Sequence, residues 1–323
     1  MDAADFMPGE AALAGIRGEI ESYEAERQKV VRSVRIRIPV VIGVVLVLTA
    51  VLAITFNAFA DPRERWVSTP HIYLYILAAA GLSIAHFVAT SPARKLRRSV
   101  RDRLLPVVFG FIENVRYRKG ETPDSVSRIP KDAIGNFNDS RFDDEISGVW
   151  QGLPFELYEA AFSVGSGKGR DTVFRGVVIA LATERAFPGV LVATRKANKV
   201  TSFFRGIFGK ELESLSSGDP VLDAAYDFRT DNPAAAGPLV TGRLARALQW
   251  LGEAWPEEPA RIALQGKDAF LLLPQSKNFF ELPDISEPLD YKTHIAPMIA
   301  DMASLLATGA LVRQIGSGDE QPS

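Results

Sequence analysis

The chain contains no cysteine. Disulfides, thiol nucleophiles and cysteine-held zinc or iron–sulfur centres are thereby excluded, although the compartment is not. Histidine is nearly as scarce, with only His71, His86 and His294 among 323 residues. The first two fall inside an apolar run, so a Ser-His-Asp triad would rest on His294 alone. A capping or surface role near the start of the last helix is the simpler reading of that residue. Excess charge is also missing: 37 Lys and Arg face 39 Asp and Glu, for a formal net charge of −2. Duplex binding needs a broad basic face, so nucleic acid is not expected as a partner.

What is present is segregated. Residues 1–26 hold seven acids against Arg17, and the sign then reverses at Arg27, Lys29, Arg32, Arg35 and Arg37. From Ile38 to Ala60 no residue is charged, and only Thr49, Thr55 and Asn57 are polar. About 20 such residues cross a hydrocarbon core of roughly 30 Å as a helix. Pro70 to Thr90 is again uncharged, with Trp66, Tyr73 and Tyr75 near its start, as suits a membrane interface. Ala58-Phe59-Ala60 resembles a signal-cleavage site, but the apolar tract is too long, its leader is long and partly acidic, and a second run follows. A two-helix transmembrane hairpin is the better reading.

Arginine and lysine set its direction. Arg32, Arg35 and Arg37 precede the first span, and Arg94, Lys95, Arg97 and Arg98 follow the second, against only Arg63 and Arg65 between them. Positive charge stays on the cytoplasmic side, which places both termini inside and residues 61–69 outside. The expected localisation is a bacterial inner membrane, multi-pass. Gly81, Ala85 and Ala89 form a small-residue ridge for close packing on the first span, or between two copies. His86 lies beside that ridge, where a neutral histidine bonded to a carbonyl or water is the commoner arrangement; no carboxylate in either span offers it a proton partner.

Apolar stripes flank the hairpin. Leu13, Ile16, Ile20, Tyr23, Val30 and Val34 follow helical spacing, broken by Arg27, and Leu96, Val100, Leu104, Val107 and Phe111 repeat the pattern, with Pro106 as a kink. Antiparallel pairing of the two as a stalk is the simplest arrangement, with intermolecular pairing the alternative. The expected organisation is an amphipathic helix over 1–37, spans over 38–60 and 70–90, an external loop over 61–69, a basic helical connector over 91–116, an α+β domain over 117–315 and a disordered tail over 316–323.

Within the domain, residues 148–159 alternate around a turn, and Val173–Ala182 and Val190–Thr194 read as two separate strands. A helical turn opens Val221–Arg229, Leu239–Trp255 reads as one helix ended by Pro256, and Gln265-Gly266-Lys267-Asp268 reads as a hairpin turn between strands. A final helix spans Tyr291 to Ile315. Strands first and helices later predict an α+β fold with an antiparallel sheet.

The stretches GVWQGLPFELYEAAF, VFRGVVIAL with GVLVATR, DPVLDAAYDFRTDNPAAAGPLVTGRLARAL and RIALQGKDAFLLLPQSKNFFE resemble the bacterial family called domain of unknown function 3137. Asp219-Pro220 and Phe279-Phe280-Glu281 are its clearest landmarks here. The resemblance implies two N-terminal spans and a C-terminal domain with this order of segments, but no activity, cofactor or catalytic residue. Where the family leads one to expect Glu-Ala after Asp231, this chain has Asn232-Pro233-Ala234-Ala235.

No motif brings a cofactor or metal. Gly165-Ser166-Gly167-Lys168-Gly169 lacks the Ser or Thr and the following helix of a phosphate loop, and reads as a flexible hairpin loop. Asp143-Asp144-Glu145 reads as an exposed acidic turn, with Mg²⁺ binding the alternative. Arg195, Lys196 and Lys199 followed by Phe203, Phe204 and Phe208 interleave cations and rings, as suits a membrane surface; the competing reading is a loop whose rings pack back on the sheet. The expected function is a membrane-anchored scaffold or interaction module, its partners the lipid bilayer and a protein or second copy. The alternative is a tethered enzyme or receptor using carboxylates that form no motif.

Overall fold

In the computed structural model, residues 8–59, 66, 69–110, 112–150, 152–196, 212–255, 258–275 and 279–317 are described. Two compact units emerge, one from Leu13–Val107 with Leu282–His294, the other built on Val108–Glu281 and Ile295–Ser323.

The first unit is helical. α1 (Glu10–Phe59) runs unbroken through the sequence's boundary between amphipathic leader and apolar run, with Pro39 inside it. α2 (Thr69–Ala89) and α3 (Ser91–Val108) return along it. His71 Nε2 lies 3.2 Å from the Ala53 carbonyl, a Cβ at Gly81 would sit 3.7 Å from Val45, and Arg103 pairs with Glu26 at 2.7 Å. Those three contacts fix an antiparallel register from Glu26 to Ala53 of α1. Thr49, Thr55 and Ser83 donate to carbonyls four residues back, so their hydroxyls need no outside partner. The most apolar windows of α1 and α2 are only 6% and 17% buried. Both helices are long and apolar enough to cross a membrane, and a soluble core helix would be mostly covered.

Arg27, the break in the apolar stripe, has a structural reason. It is buried, its Nε donates to both carboxylate oxygens of Glu24 at 2.8 and 2.9 Å, and its Nη1 donates to the Ile285 carbonyl at 3.0 Å. Glu24 in turn accepts from the Leu289 N–H at 2.7 Å. One ion pair thus satisfies backbone groups of the Leu282–His294 segment, which lies across α1 with Leu282 and Leu289 buried. Arg17 over the Tyr291 ring, at 5.3 Å, adds a third tie.

The second unit is α+β with an antiparallel sheet, as the order of strands and helices predicted. Its strands are β1 (Glu113–Lys119), β2 (Asp139–Trp150), β3 (Leu153–Val164), β4 (Asp171–Arg195), β5 (Glu213–Leu215), β6 (Tyr226–Thr230) and β7 (Arg261–Pro274). The order is β1-β2-β3-β4-β6-β5, with β7 along the other edge of β4. β2 and β3 form the expected hairpin, Trp150 opposite Leu153.

Two expectations are corrected here. Val173–Ala182 and Val190–Thr194 are halves of one strand, β4, bulged around Phe187. The 265–268 turn is likewise the middle of one strand, β7, in which Gly266 (φ 57°) pairs with Phe187. Both strands bend together at that level. Beyond the bend, β4 exchanges its neighbour: β3 pairs with its first half and β6 with its second.

Helices cover both faces of the sheet, which explains the continuous apolar runs of β4 and β7. On one face the 3₁₀ turn Asp124–Arg128 and α4 (Lys131–Ile134) bury Ile129, Ala133 and Ile134 against Tyr158, Phe162, Phe174, Val178, Phe270 and Leu272. On the other lies α8 (Ala296–Ser317), where a Cβ at Gly309 would come within 3.1 Å of Leu181. Helix to Ser317 also overruns the tail expected from residue 316.

Between β5 and β7 come α5 (Pro220–Ala225), α6 (Pro233–Val240) and α7 (Arg243–Ala254). The single helix expected over Leu239–Trp255 is two, parted at Gly242. Asp219 caps α5 by accepting from the Val221 and Leu222 N–H groups, and Asn232 caps α6 through Ala235, each with proline next in the first turn. The Asp219-Pro220 landmark is a helix start. Asn232-Pro233 is another, written differently from the family's expected pair.

Candidate functional site

Two polar features of the sheet unit stand out: a groove on one face and a carboxylate cluster on the other. The groove, about 540 Å³, has a floor of Ser147, Gly148, Ala180 and Ala182 beside Arg116, Arg118 and Arg128. Its size suits a small ligand. Its charges are largely spent on one another. Arg118 donates through Nε and Nη2 to Glu145 at 3.1 and 2.6 Å and lies within 4 Å of Glu121 and Asp124, and Arg128 pairs with Asp268 at 3.1 Å. Burial pushes the Glu145 carboxyl up despite Arg118, and its Oε2 has no hydrogen-bond partner among the described residues. Glu156 accepts from the Ser125 N–H, and Ser125 reaches the Tyr158 hydroxyl. These contacts staple the 3₁₀ turn to the sheet. Arg118 and Arg128 of the groove are thus held in internal ion pairs.

The cluster arises from a register slip. Phe142 pairs with Ala160 and Glu145 with Tyr158, so Asp143 and Asp144 together face Glu159 across a β-bulge. One oxygen from each carboxylate lies within 4.8 Å of the others. Asp144 is fully buried and accepts from the Tyr117 hydroxyl. Lys119 reaches Asp143 at 2.8 Å and Asp144 at 3.5 Å, supplying a cation from the protein itself. Glu159 Oε1 accepts the N–H groups of Phe279 and, at 3.3 Å, Phe280. Burial, opposed by those two N–H donors and reinforced by Asp144 and Asp143, pushes the Glu159 carboxyl up to about 7. Phe280 is buried edge-on against Phe109, with ring centres 5.9 Å apart.

Asp143-Asp144-Glu145 is thus no exposed turn. It is a bulged strand with Asp144 and Glu145 buried on opposite faces, and the expectation fails because the alternation of β2 decides burial, not local polarity. Glu159 escaped the sequence reading altogether. Its one signal was an acid set among the apolar residues of LPFELYEAAF.

Of the other expected site residues, Ala85 and Ala89 are buried and Gly81 is half-buried beside Val45. Arg32, Arg35 and Arg37 lie on α1, and Arg94, Lys95, Arg97 and Arg98 on α3. Arg94 covers the Phe87 ring at 3.7 Å, and His86 is exposed with its carbonyl accepting from Thr90. Arg195 ends β4, 3.8 Å from Glu258, and Lys196 donates to the Asp223 carbonyl at 2.6 Å. Lys199, Phe203, Phe204 and Phe208 lie outside the described residues. The 165–169 loop is a tight 3₁₀ turn in which a Cβ at Gly165 would clash with the Gly169 carbonyl at 2.3 Å. His294 sits in a local cap, its Nδ1 accepting from the Asp290 N–H at 3.1 Å. The Asp290 carboxyl is held below the usual range chiefly by the Thr293 N–H and hydroxyl.

With bulged β4, capped α5 and α6, β7 and α8 in place, the order of landmarks can be compared with known families. Residues 172–312 match the family described as Protein of unknown function (DUF3137). The match runs from the start of β4 into α8, so the resemblance holds for that region. No curated protein matches the chain. Among solved structures, the chain is similar to the mycobacterial trehalose monomycolate transport factor A, TtfA, at 10% identity and a TM-score of 0.32, covering 62% of this chain and 90% of that one. So slight a likeness bears on neither fold nor activity.

Proposed function

We propose that this protein is a membrane-anchored interaction module, held by the α1–α2 hairpin, whose sheet unit works on the side where both termini lie. The observation that carries the reading is the surface of the hairpin. Val47, Ile54, Leu77 and Phe87 are each more than 60% exposed on two uncharged helical runs, a surface that water disfavours and lipid accepts. Basic residues flanking the two apolar runs, Arg32, Arg35 and Arg37 midway along α1 and Arg94, Lys95, Arg97 and Arg98 at the start of α3, against two in the loop, support the orientation. Interaction is favoured over chemistry because Arg118 and Arg128 of the groove and Lys119 of the cluster are already paired with the protein's own carboxylates. Gly81, Ala85 and Ala89 serve to seat α2 on α1 in this reading, and Arg195, Lys196, Lys199, Phe203, Phe204 and Phe208 are candidate contacts with the lipid surface. The test is extraction of membranes with alkaline carbonate and with mild detergent. Full-length protein should stay in the carbonate pellet and dissolve only in detergent; release by carbonate contradicts the anchor.

A further inference from the structure

We propose that Glu159, with Asp143 and Asp144 opposite it, forms a proton-operated catch on the Phe279–Phe280 turn, closed when the cluster holds a proton and loosened when the proton leaves. The geometry has three parts. The β2 bulge forces two carboxylates to face a third, which is an unfavourable arrangement unless a proton is shared among them. The third carboxylate receives both N–H groups of the turn, so the turn itself helps to exclude water from it. The turn is otherwise anchored by Phe280, buried against Phe109. Beyond Glu281 the chain enters the Leu282–His294 segment.

The charged and titratable groups facing Glu159 among the described residues are Asp143 and Asp144 of β2 and, behind them, Lys119 and Tyr117 of β1. The turn contributes only backbone donors. Lys119 reaches Asp143 and Asp144, and both aspartates act on Glu159 by repulsion. A proton on Glu159 removes the repulsion, and its remaining carbonyl oxygen still accepts the Phe279 and Phe280 N–H groups. Lifting the turn hydrates Glu159 and returns it towards an ordinary carboxylate. Because the closed form raises the carboxyl to about 7, linkage requires that ionisation favours the lifted form. Neutral pH lies inside the working range.

Amide hydrogen exchange on the full chain in detergent tests the catch, with rates divided by their intrinsic pH dependence. Between pH 6 and 8.5 the protection of Phe279 and Phe280 should fall about tenfold or more, while Leu271–Leu273 of β7 hold theirs. Glu159→Gln should keep the turn protected across the range. Asp144→Asn, which removes one repelling charge but keeps an acceptor for Tyr117, should give a smaller loss with a lower midpoint. Unchanged protection in the wild type, an equal loss in Glu159→Gln, or a parallel loss at Leu271–Leu273 overturns the proposal.

Discussion

At the scale of single residues, two ionisable groups sit where an apolar side chain would be expected, and each does so for a different reason. Arg27 is buried because it and Glu24 satisfy backbone atoms of a segment more than 250 positions away. The sequence displayed the symptom, a charge interrupting the stripe of Ile20, Tyr23 and Val30. Its cause is a long-range contact that no local pattern encodes. Glu159 is the second case, and its consequence is measurable. A carboxyl raised from 4.5 to about 7 in the folded chain stabilises it fully below pH 4.5, and that contribution is lost as pH rises through 7. The ceiling is about 3.5 kcal/mol at roughly 1.4 kcal/mol per unit. Glu159→Gln should therefore match the wild type in thermal stability near pH 4 and exceed it increasingly up to pH 8. An advantage independent of pH contradicts burial of the charge as the cause.

At the scale of elements, local signals were legible and long-range pairing was not. The β2–β3 hairpin, the helical start at Asp219 and the final helix could be read because caps, turns and alternation act over a few residues. Gln265-Gly266-Lys267-Asp268 shows the limit. Glycine with a positive φ serves a hairpin turn or a bulge equally well, and what selects the bulge is the partner strand, bent at the same level. Gly189 marks that bend from the β4 side. It has φ 139°, and a Cβ there would lie 2.3 Å from the Asp231 Oδ1 that receives the Val190 N–H at 2.6 Å. Gly189→Ala should lower stability by more than about 2 kcal/mol through strain and loss of that bond. Gly252→Ala in α7, with open space around it and a helical backbone, should raise stability by up to about 1 kcal/mol. Thermal unfolding of the two variants checks both signs, and a neutral Gly189→Ala contradicts the close approach.

At the scale of the whole molecule, composition spoke more plainly than motif. Two uncharged runs, unequal basic flanks and an α+β order of segments were on the surface of the sequence, and the helices and antiparallel sheet follow them. The carboxylate cluster was hidden because Asp143, Asp144 and Glu159 meet only through a one-residue slip between β2 and β3. Fold class survives such a slip, whereas the composition of a site depends on it. The account as a whole rests on the anchored hairpin and its direction, and the absence of cysteine makes this directly accessible, since any introduced thiol is the single one in the chain. The deciding measurement is labelling of Ser68→Cys and Ser127→Cys variants in intact cells with a membrane-impermeant maleimide. The account predicts that position 68 reacts at once and position 127 only after permeabilisation. Equal reaction at both positions, or the reverse order, contradicts it.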